Sequence, residues 1–293
     1  MADFTTPDFL AIGHLTFDVT PVPGDPHGRV RPGGAAAFAA VTAQALGFRV
    51  AVVTSATPSY PVDAILPGIA THVVQASFTT FFQNVYSRDA RGEKGNRWQV
   101  LGGRASSITL SDIPGPWLKA PIVFLGPLVR EIPPDAVNWF PDAAVGAAVQ
   151  GWLRRWDDYG RITEEAGPPA GLASGYRLLA GSVREFAGQE GSGDEMARWA
   201  GYADAVGITD GAAGSRIHAD GRETSIPAYR ANEIDPTGAG DIWAAACLLR
   251  LVETGDPVES ARFANAAGSV SIEREGLFGA PGRSEIESRM ARG

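Results

Sequence analysis

Short apolar runs recur along the chain and are separated by glycine, proline and small polar residues. Longer stretches rich in alanine and leucine, such as residues 35–46, stand between some of them. Such runs predict strands buried on both faces of a parallel sheet, and the longer stretches predict the helices that connect those strands. The predicted strands are residues 9–12, 48–54, 71–77, 121–125, 143–149 and 205–209. This alternation of strands and helices indicates an α/β fold with a mainly parallel sheet.

Two further segments alternate between apolar and polar residues around turn-forming residues, and they predict β-hairpins near residues 15–32 and 78–102. Their turns are predicted at residues 21–28 and 89–96. The glycine- and proline-rich residues 167–175 are predicted to form a surface loop. Since no other stretch has the composition of a linker, we expect residues 1–293 to form a single domain.

Composition narrows the classes of function. The 293 residues are 44% hydrophobic, and the formal net charge of −8 argues against a nucleic-acid or anionic-membrane surface as the main partner. No apolar run reaches the length of a membrane span, and the first residues lack the basic region and apolar core of a signal peptide. The single cysteine, Cys247, excludes an intrachain disulfide and favours a cytoplasmic protein. The four histidines show no zinc-site spacing.

The stretch from Asn232 to Arg250 carries the strongest chemical signal. It passes from turn-forming residues through Gly238, Ala239 and Gly240 into Asp241 and a predicted helix. Small residues at a helix N-terminus leave backbone N–H groups uncovered, and these groups with the helix dipole form an anion site. Asp241 is either a helix cap or a base that accepts a proton from a hydroxyl attacking a bound phosphoryl group.

The segment Asp235-Pro-Thr-Gly-Ala-Gly-Asp241 resembles the C-terminal signature of the ribokinase-like (PfkB-type) carbohydrate kinases. The resemblance implies that Asp241 is the general base and that Gly238, Ala239 and Gly240 form an anion hole for the transferred phosphate. It also implies a three-layer α/β/α sandwich in which the two hairpins form a small β lid. The implied reaction is ATP-dependent phosphorylation of a sugar or polyol, with Mg²⁺ as the metal.

The N-terminal region resembles the part of this family that binds the acceptor. Asp18 matches an acid that hydrogen-bonds substrate hydroxyls, and Gly33 and Gly34 let the backbone approach the substrate. Many members have asparagine where this chain has Phe38, and Gly-Gly-Ala-Ala-Ala-Phe38 instead resembles the myo-inositol-kinase-like branch. Phe38 is otherwise a plain core residue.

In the family the second hairpin lines the acceptor pocket, although alternation alone also fits a purely structural hairpin. The pocket candidates there are Thr79, Phe81, Gln83 and Asn84. Residues 150–155, Gln-Gly-Trp-Leu-Arg-Arg, again resemble the inositol-kinase-like branch. That branch places an acid two residues before the glutamine, where this chain has Ala148.

The remaining matches concern the nucleotide and the metal. The resemblance implies nucleotide-binding roles for Thr209, Gly211, Gly214, Thr237 and Asn265. Glu185 matches the acid of an Asn-x-x-Glu motif that organises magnesium through water, but Ser182 replaces its asparagine. Asn265 is otherwise a surface residue of a helix, and Glu185 is otherwise part of a solvated helix face.

These features predict a kinase for a sugar or cyclic polyol, with myo-inositol favoured, that acts as a monomer or as a homodimer formed through the lid. Two alternatives stay open. One is a ribose, fructose or adenosine-type kinase of the same family, and the other is a catalytically weakened, sugar-sensing relative. A dinucleotide-dependent oxidoreductase fits less well, because no G-x-G-x-x-G follows the first predicted strand.

Overall fold

A computed structural model describes residues 5–22, 25–88, 94–187 and 195–292 of the chain. Its main element is a nine-stranded sheet in the order β15-β14-β13-β12-β9-β8-β1-β4-β5. These strands are β1 Phe9–Ile12, β4 Val50–Ala56, β5 Ala70–Gln75, β8 Ile122–Leu125, β9 Ala144–Ala148, β12 Tyr176–Ser182, β13 Ala203–Thr209, β14 Ser215–Ala219 and β15 Arg222–Ile226. All pairs from β13 to β5 are parallel, whereas β13–β14 and β14–β15 are antiparallel.

Helices cover both faces of this sheet. They are α1 Ala35–Ala45, α2 Val62–Ile65, α3 Gln150–Leu153, α4 Val183–Ala187, α5 Glu195–Ala200, α6 Ala239–Thr254, α7 Pro257–Ser271 and α8 Arg283–Arg292. Short 3₁₀ helices are Leu110–Asp112, Gly115–Lys119, Ala136–Trp139, Gly211–Ala213 and Gly276–Gly279. None of the described helices is both long and apolar enough to cross a membrane.

The side chains of the interior strand β1 show that the apolar core has two layers. In β1, Phe9 and Ala11 point to the face covered by α1, α6 and α7. Leu10 and Ile12 point to the opposite face, where Trp117 is among the side chains packed against them. Because the strand is buried on both faces, its residues are apolar without alternation, as expected for a parallel sheet.

A separate four-stranded sheet lies beside the carboxyl ends of the central strands, and we call it the lid sheet. Its order is β3-β2-β6-β7, formed by β2 Thr16–Val22, β3 Asp25–Gly33, β6 Thr80–Arg88 and β7 Lys94–Gly103. The outer pairs are antiparallel hairpins, and β2 and β6 pair in parallel at its centre. Residues 23–24 and 89–93 of the predicted turns lie outside the described residues.

A buried polar cluster joins the lid sheet to the main sheet. The His14 ring lies between the Thr80 hydroxyl, 2.7 Å from Nδ1, and the Ser106 carbonyl, 2.8 Å from Nε2. Glu131 accepts hydrogen bonds from the backbone N–H groups of His14, Leu128 and Val129 at 3.1, 2.9 and 2.7 Å. Burial raises the pKa of Glu131, but His14 and these N–H groups outweigh burial and hold it below its usual value.

Each strand predicted from an apolar run is present, with ends that differ by at most a few residues, and helix α1, Ala35–Ala45, covers the predicted stretch 35–46 except for its last residue. The Asp256 carboxylate caps α7 by accepting from the amides of Val258 and Glu259. Two features were not predicted from the sequence. They are the antiparallel edge formed by β14 and β15 and the short pair β10 Arg154–Trp156 and β11 Ile162–Glu164.

Candidate active site

The site is organised by the N-terminus of α6. Gly238 precedes the helix in the left-handed region, with φ of 78°, and no side chain caps the helix. A Cβ at Gly238 would lie 2.3 Å from the Phe38 ring, so only glycine allows this close contact. The start of α6 therefore requires glycine at position 238 for two reasons. The backbone has a positive φ there, and a side chain would collide with the Phe38 ring.

Three backbone amides at this helix end are unpaired. Within the described chain the N–H groups of Gly238, Gly240 and Asp241 donate to no acceptor, whereas the Ala239 amide donates to the Pro236 carbonyl at 3.2 Å. Unpaired amides and the positive end of a sixteen-residue helix together attract an anion. The geometry differs from the prediction in one respect, because the Asp241 amide takes the place expected for that of Ala239.

A space of about 350 Å³ lies between this helix end and the lid sheet, and we call it the inner cavity. Its polar lining combines Asp18 of β2 with Asp241 of α6, while Gly34 and Phe38 form its wall at α1. Gly33 lies next to it, where a Cβ would come within 3.1 Å of the Asp18 carboxylate. The structure thus brings the predicted acid of the first hairpin and the predicted base into one cavity.

Asp241 has the environment of a base. Burial raises its pKa to about 7, the nearby carboxylates of Glu185 and Asp18 act in the same direction, and Arg154 opposes them. Asp241 keeps partial access to solvent because it lines the inner cavity, which is open to solvent. A carboxylate with a pKa near neutrality is matched to proton transfer at physiological pH.

Phe38 belongs both to the apolar core and to the wall of the inner cavity. It is 2% exposed and belongs to the core packed around α1 and α6, and its ring also lines the inner cavity against Gly238. An aromatic ring at this position offers an apolar face and no hydrogen bond to a ligand.

The second hairpin requires a correction. Thr79 and Phe81 do not line the inner cavity, since Thr79 hydrogen-bonds to Thr57 and the Phe81 ring packs over Gly102 and Gly103. Gln83 is exposed to solvent. The inward face of β6 carries Phe82 instead, which lines the cavity. Alternate residues of a strand point to opposite faces, so Phe81 and Gln83 share the face that points away from the cavity.

Asn84 shares the inward phase with Phe82. It is 5% exposed, and its side-chain oxygen accepts from the Gln99 amide at 3.0 Å. Gln99 in turn lines the inner cavity. Asn84 is therefore one contact away from the cavity, and its predicted role in substrate binding stays a prediction.

Sequence reasoning missed two polar residues of the inner cavity that follow the strand β9. Gln150 begins α3, and Arg154 begins β10. Arg154 is 5% exposed and donates to the carbonyl of Leu128 and the side chain of Gln99. The available signal was an arginine placed directly after the apolar pair Trp152 and Leu153.

Glu185 is 7% exposed, so the alternative of a solvated helix face is wrong. Its carboxylate accepts from the Ser182 amide and from the Gln150 side chain, both at 2.6 Å, while the Glu185 amide donates to the Ser182 hydroxyl at 3.4 Å. The first and third of these bonds form a capping box at the start of α4. Burial raises the pKa of Glu185, and the Ser182 amide and Gln150 oppose that rise.

Glu185 also lies on the wall of the inner cavity. Among the described residues no group of three or more histidine, cysteine, aspartate or glutamate side chains is arranged to hold a metal ion. The predicted link between Glu185 and a metal therefore stays a prediction.

A second space of about 790 Å³, the outer cavity, lies on the other side of the α6 N-terminus. Thr209, Gly211, Gly214 and Asn265 all line it, together with Tyr229. Thr237 lines only the inner cavity, which differs from its predicted place on the nucleotide side.

The side chain of Asn265 makes its hydrogen bonds to other residues of the protein. Its oxygen accepts from the Ser215 hydroxyl and the Trp243 indole N–H, both at 2.7 Å, and its amide donates to the carbonyls of Ile226 and Pro227 at 3.1 and 3.0 Å. With both donors used, Asn265 shapes the wall of the outer cavity, and a hydrogen bond to a bound base would require breaking one of these contacts.

The two cavities meet at the helix end. Thr209, Pro236 and Gly240 line both of them. A group bound at the unpaired amides can therefore be contacted by ligands in both cavities. Asp241 lines the inner cavity. This arrangement suits the transfer of an anionic group from a ligand in one cavity to a ligand in the other.

Comparisons with known proteins agree with this geometry. Residues 183–280 match the model of the "pfkB family carbohydrate kinase". The ribokinase of Bacillus subtilis (strain 168) is 39% identical over 85 residues, which is 29% of each chain. The inositol 3-kinase of Arabidopsis thaliana is 35% identical over 71 residues, covering 24% of this chain and 20% of that protein. The matches thus span less than a third of either relative.

Structural similarity extends over the whole chain. A pyrophosphate-dependent kinase of the ribokinase family, solved with a pyrophosphate analog and myo-inositol, superposes with a TM-score of 0.76 at 23% identity. The superposition covers 96% of this chain and 99% of that one. This likeness confirms the predicted ribokinase-like α/β sandwich with its small β lid. Residues 183–280 thus resemble the pfkB family carbohydrate kinases, and the fold of the chain is that of the ribokinase-like kinases.

Proposed function

We propose that the protein transfers the terminal phosphoryl group of ATP to a hydroxyl of a sugar or cyclic polyol, with myo-inositol the favoured acceptor. The observation that carries this proposal is the junction at the start of α6. There an anion site of unpaired amides lies between two cavities, and a carboxylate with a pKa of about 7 faces the inner one. In this proposal the acceptor occupies the inner cavity and the donor occupies the outer cavity.

The proposed reaction follows from this placement. An acceptor hydroxyl beside Asp241 loses its proton to the carboxylate while its oxygen bonds to the terminal phosphorus of the donor. The bond between that phosphorus and the bridging oxygen breaks, and ADP leaves. The amides of Gly238 and Gly240 donate to the phosphoryl oxygens as charge on them changes, which stabilises the transition state.

The size of the outer cavity supports a nucleotide donor. A volume of about 790 Å³ falls in the range of sites for drug-sized ligands and cofactors, and its lining includes Tyr229 and Trp243. Pyrophosphate would leave most of this space empty. Because a solved structural relative depends on pyrophosphate, the donor has to be tested directly.

Magnesium fits the site as an ion held mainly by phosphate oxygens and water. Mg²⁺ keeps several waters and commonly uses one or two carboxylates together with substrate phosphates. Each Glu185 oxygen accepts one hydrogen bond from the protein, and a carboxylate has about four acceptor sites, so capacity for a metal-bound water remains. When bound, the ion would supply positive charge to the phosphates, and Glu185 would orient its water.

The preference for myo-inositol rests on Phe38 and on the likeness of residues 150–155 to the inositol-kinase-like branch. Phe38 replaces an asparagine that reaches a sugar hydroxyl in many members, so the acceptor has to be gripped by other groups. A ribose, fructose or adenosine-type acceptor is the alternative within the same reaction.

A sugar sensor with weakened catalysis is the second candidate function. Ser182 and Ala148 stand where the family pattern has asparagine and an acid, and the Glu185 carboxylate is engaged by Ser182 and Gln150. Such a protein would bind the acceptor without turning it over.

A monomer or a homodimer formed through the lid sheet, and a cytoplasmic location, stay part of the proposal. Val30 of β3 and Phe78, just before β6, are 52% and 63% exposed, which leaves apolar surface beside the lid sheet. The single buried cysteine suits a reducing compartment.

The decisive experiment measures product formation by the purified protein with ATP or pyrophosphate as donor and with myo-inositol, ribose or fructose as acceptor. We expect the highest kcat/KM for the pair of ATP and myo-inositol. A clear preference for ribose or pyrophosphate would contradict the proposed substrate. A ligand-induced thermal shift without product for any pair would instead favour the sensor.

A further inference from the structure

Part of the outer cavity wall is a loop without helix or strand. Residues 227–238 form this loop, which joins β15 to α6, and it contributes to the cavity lining Tyr229, Arg230, Asn232 and Glu233. Among the described residues, no backbone amide from Tyr229 to Glu233 donates to a backbone carbonyl. The position of this stretch therefore depends on contacts between its backbone and side chains from elsewhere.

Two side chains hold the middle of this loop, and they also bind each other. Arg289 of α8 donates through Nη1 to the Arg230 carbonyl at 2.8 Å. Its Nη2 donates to Oε2 of Glu273 at 2.7 Å, and Oε1 of Glu273 accepts from the Asn232 amide at 3.2 Å. One ion pair, between Arg289 and Glu273, thus connects to the loop at two places.

Arg289 lies behind the wall of the outer cavity. Its side chain is 19% exposed, and Nη1 also donates to the Ser269 hydroxyl at 3.2 Å. Arg230, Ser269 and Glu273 all line the cavity, although Arg289 does not. A single guanidinium therefore joins the loop to the end of α7, which forms the neighbouring part of the wall.

The place of Arg289 is set by the packing of α8. Ile286 is fully buried in the apolar core, and Met290 packs against the same core. Residues three or four apart lie on one side of a helix, so these two anchors are on the side of α8 next to Arg289. The guanidinium thus extends from a helix that is itself held by the core.

Arg289 also balances a negative charge at the cavity wall. Its hydrogen bond holds the pKa of Glu273 below the usual range, although burial acts in the opposite direction. Glu273 is therefore ionised at neutral pH. Without a partner, a carboxylate in this wall would repel the phosphates of a nucleotide, and the adjacent guanidinium reduces that repulsion.

We propose that Arg289 is a positioning residue for the phosphoryl donor, which holds the loop 227–238 and balances the charge of Glu273 and so sets the affinity of the outer cavity for a nucleotide. This inference rests on the proposed function for the identity of the outer cavity as the donor site. It goes beyond that function by giving α8 a role in donor binding, although α8 lies outside the segment 183–280 that matches the family model.

The first measurement needs no ligand. Hydrogen–deuterium exchange compares the amides of residues 229–235 in the wild-type protein and in Arg289→Met. We expect these amides to exchange at least about fivefold faster in the variant, because the loop loses its charge-assisted contacts and opens more often. Amides of the core strand β1 should exchange at the wild-type rate.

The second measurement is donor binding. Titration calorimetry with ADP should show binding weakened by about 10- to 100-fold in Arg289→Met, as for the loss of hydrogen bonds to a charged group. In kinase assays the KM for ATP should rise by a similar factor while kcat stays within about threefold, because the wall contacts the donor equally before and during transfer. The acceptor KM should change by less than about twofold.

Arg283→Met is the matched control. Arg283 also lies on α8, but its described contacts are with Glu253 and the Phe263 ring, and it is not among the described lining residues of the outer cavity. This variant weakens the docking of α8 and should keep the wild-type loop exchange and ADP affinity. Arg289→Lys should recover part of the affinity, because an ammonium keeps the charge but reaches fewer of the partners. If Arg289→Met does not fold, Arg289→Lys carries the test.

The inference is overturned if the Arg289 variant that folds has wild-type loop exchange, or if faster exchange leaves the affinity for ADP unchanged. It is also overturned if Arg283→Met changes both quantities as much as Arg289→Met. These results leave the proposed function in place when the wild type phosphorylates an acceptor. Binding of ADP that depends on Arg289, in a protein that phosphorylates no acceptor, would instead remove the proposed function and support the inference. A wild type that binds no nucleotide would contradict both.

Discussion

Arg31 and Asp235 form an ion pair that connects a lid strand to the loop preceding the anion site. Arg31 stands opposite Asp18 in the pairing of β3 with β2, and its second nitrogen lies 3.0 Å from the Glu275 carboxylate. Asp235 also accepts from the amides of Thr237 and Gly276 at 3.1 and 3.3 Å. The position of the lid sheet and the shape of the helix-end loop are therefore linked through one carboxylate.

Arg31→Met should raise the KM for the acceptor by roughly tenfold, because a charge-assisted hydrogen bond to a buried carboxylate is lost. The KM for the donor should change by less, since Arg31 does not line the outer cavity. Arg31→Lys should recover part of the loss. The exposed Arg29 of the same strand provides the control, Arg29→Met, which should behave like the wild type. Equal changes in both KM values for Arg31→Met would argue against a link to the lid.

Asp241→Asn should lower kcat by at least about 10²-fold, the usual contribution of a general base, while donor binding stays close to that of the wild type. Asparagine keeps the shape of the side chain but cannot accept the proton. Turnover and calorimetric binding of ATP are the two measurements. Turnover near the wild-type rate in the pure variant would remove Asp241 from the mechanism.

The pH dependence follows from the pKa of about 7 at Asp241. The base acts only when it is ionised, so kcat/KM should fall by about tenfold between pH 8 and pH 6. In the unfolded chain the pKa returns to about 4, so the folded state holds this proton more tightly. Stability contributed by the protonated acid is present at low pH and is lost as the pH rises through about 7.

Asp241→Asn should therefore raise the melting temperature relative to the wild type more at pH 8 than at pH 5. Thermal unfolding of both proteins at the two pH values measures this difference without relying on activity. A difference that does not depend on pH would show that Asp241 is already ionised at pH 5 in the folded protein.

Glu185→Gln should shift the Mg²⁺ dependence of the initial rate to higher concentration and lower kcat, with little change in the acceptor KM. Glutamine can still accept from the Ser182 amide, so the helix cap is preserved in part while the charge is lost. Ser182→Ala should have a mild effect, and Ser182→Asn should tighten the Mg²⁺ response if the family geometry is otherwise kept. A Glu185→Gln titration curve that overlays that of the wild type would remove the metal role.

Gly207→Ala should lower the free energy of unfolding by about 1–3 kcal/mol, the usual cost of overpacking a core. A Cβ at Gly207 in β13 would lie 2.4 Å from the Trp243 ring, which also anchors Asn265. Gly115→Ala is the control, because a Cβ there meets no atom within 4 Å. Urea unfolding of the two variants measures the difference, and equal midpoints would contradict the close contact.

The parts of the site that depend on local sequence could be predicted, and those that depend on the packing of distant strands could not. Gly238 and Asp241 are recognisable because the turn, the positive φ and the helix start lie within a few residues of one another. Phe81 and Phe82 are both plausible pocket residues in isolation. Only the pairing of β6 with β2 and β7 decides that Phe82 points inward.

Arg154 and Asn265 show the same limit for polar residues, because their hydrogen-bond partners lie far away in the sequence. The sequence places an arginine beside an apolar pair but does not show that residues from β7 and the loop after β8 accept its hydrogen bonds. Asn265 lies on the predicted helix, yet its partners come from β14, α6 and the end of β15. Whether a buried amide is available to a ligand depends on such partners.

The residues that line the two cavities come mostly from different parts of the chain. Every residue lining the outer cavity lies between Thr209 and Glu273, inside the segment 183–280 that matches the family model. Much of the inner cavity comes from residues before that segment. Under the proposed function, recombination or mutation before residue 183 would change the preferred acceptor while leaving the donor cavity unchanged. Under the proposed function, a chimera that joins the part of a relative preceding this segment to residues 183–293 of this chain would take the relative's acceptor.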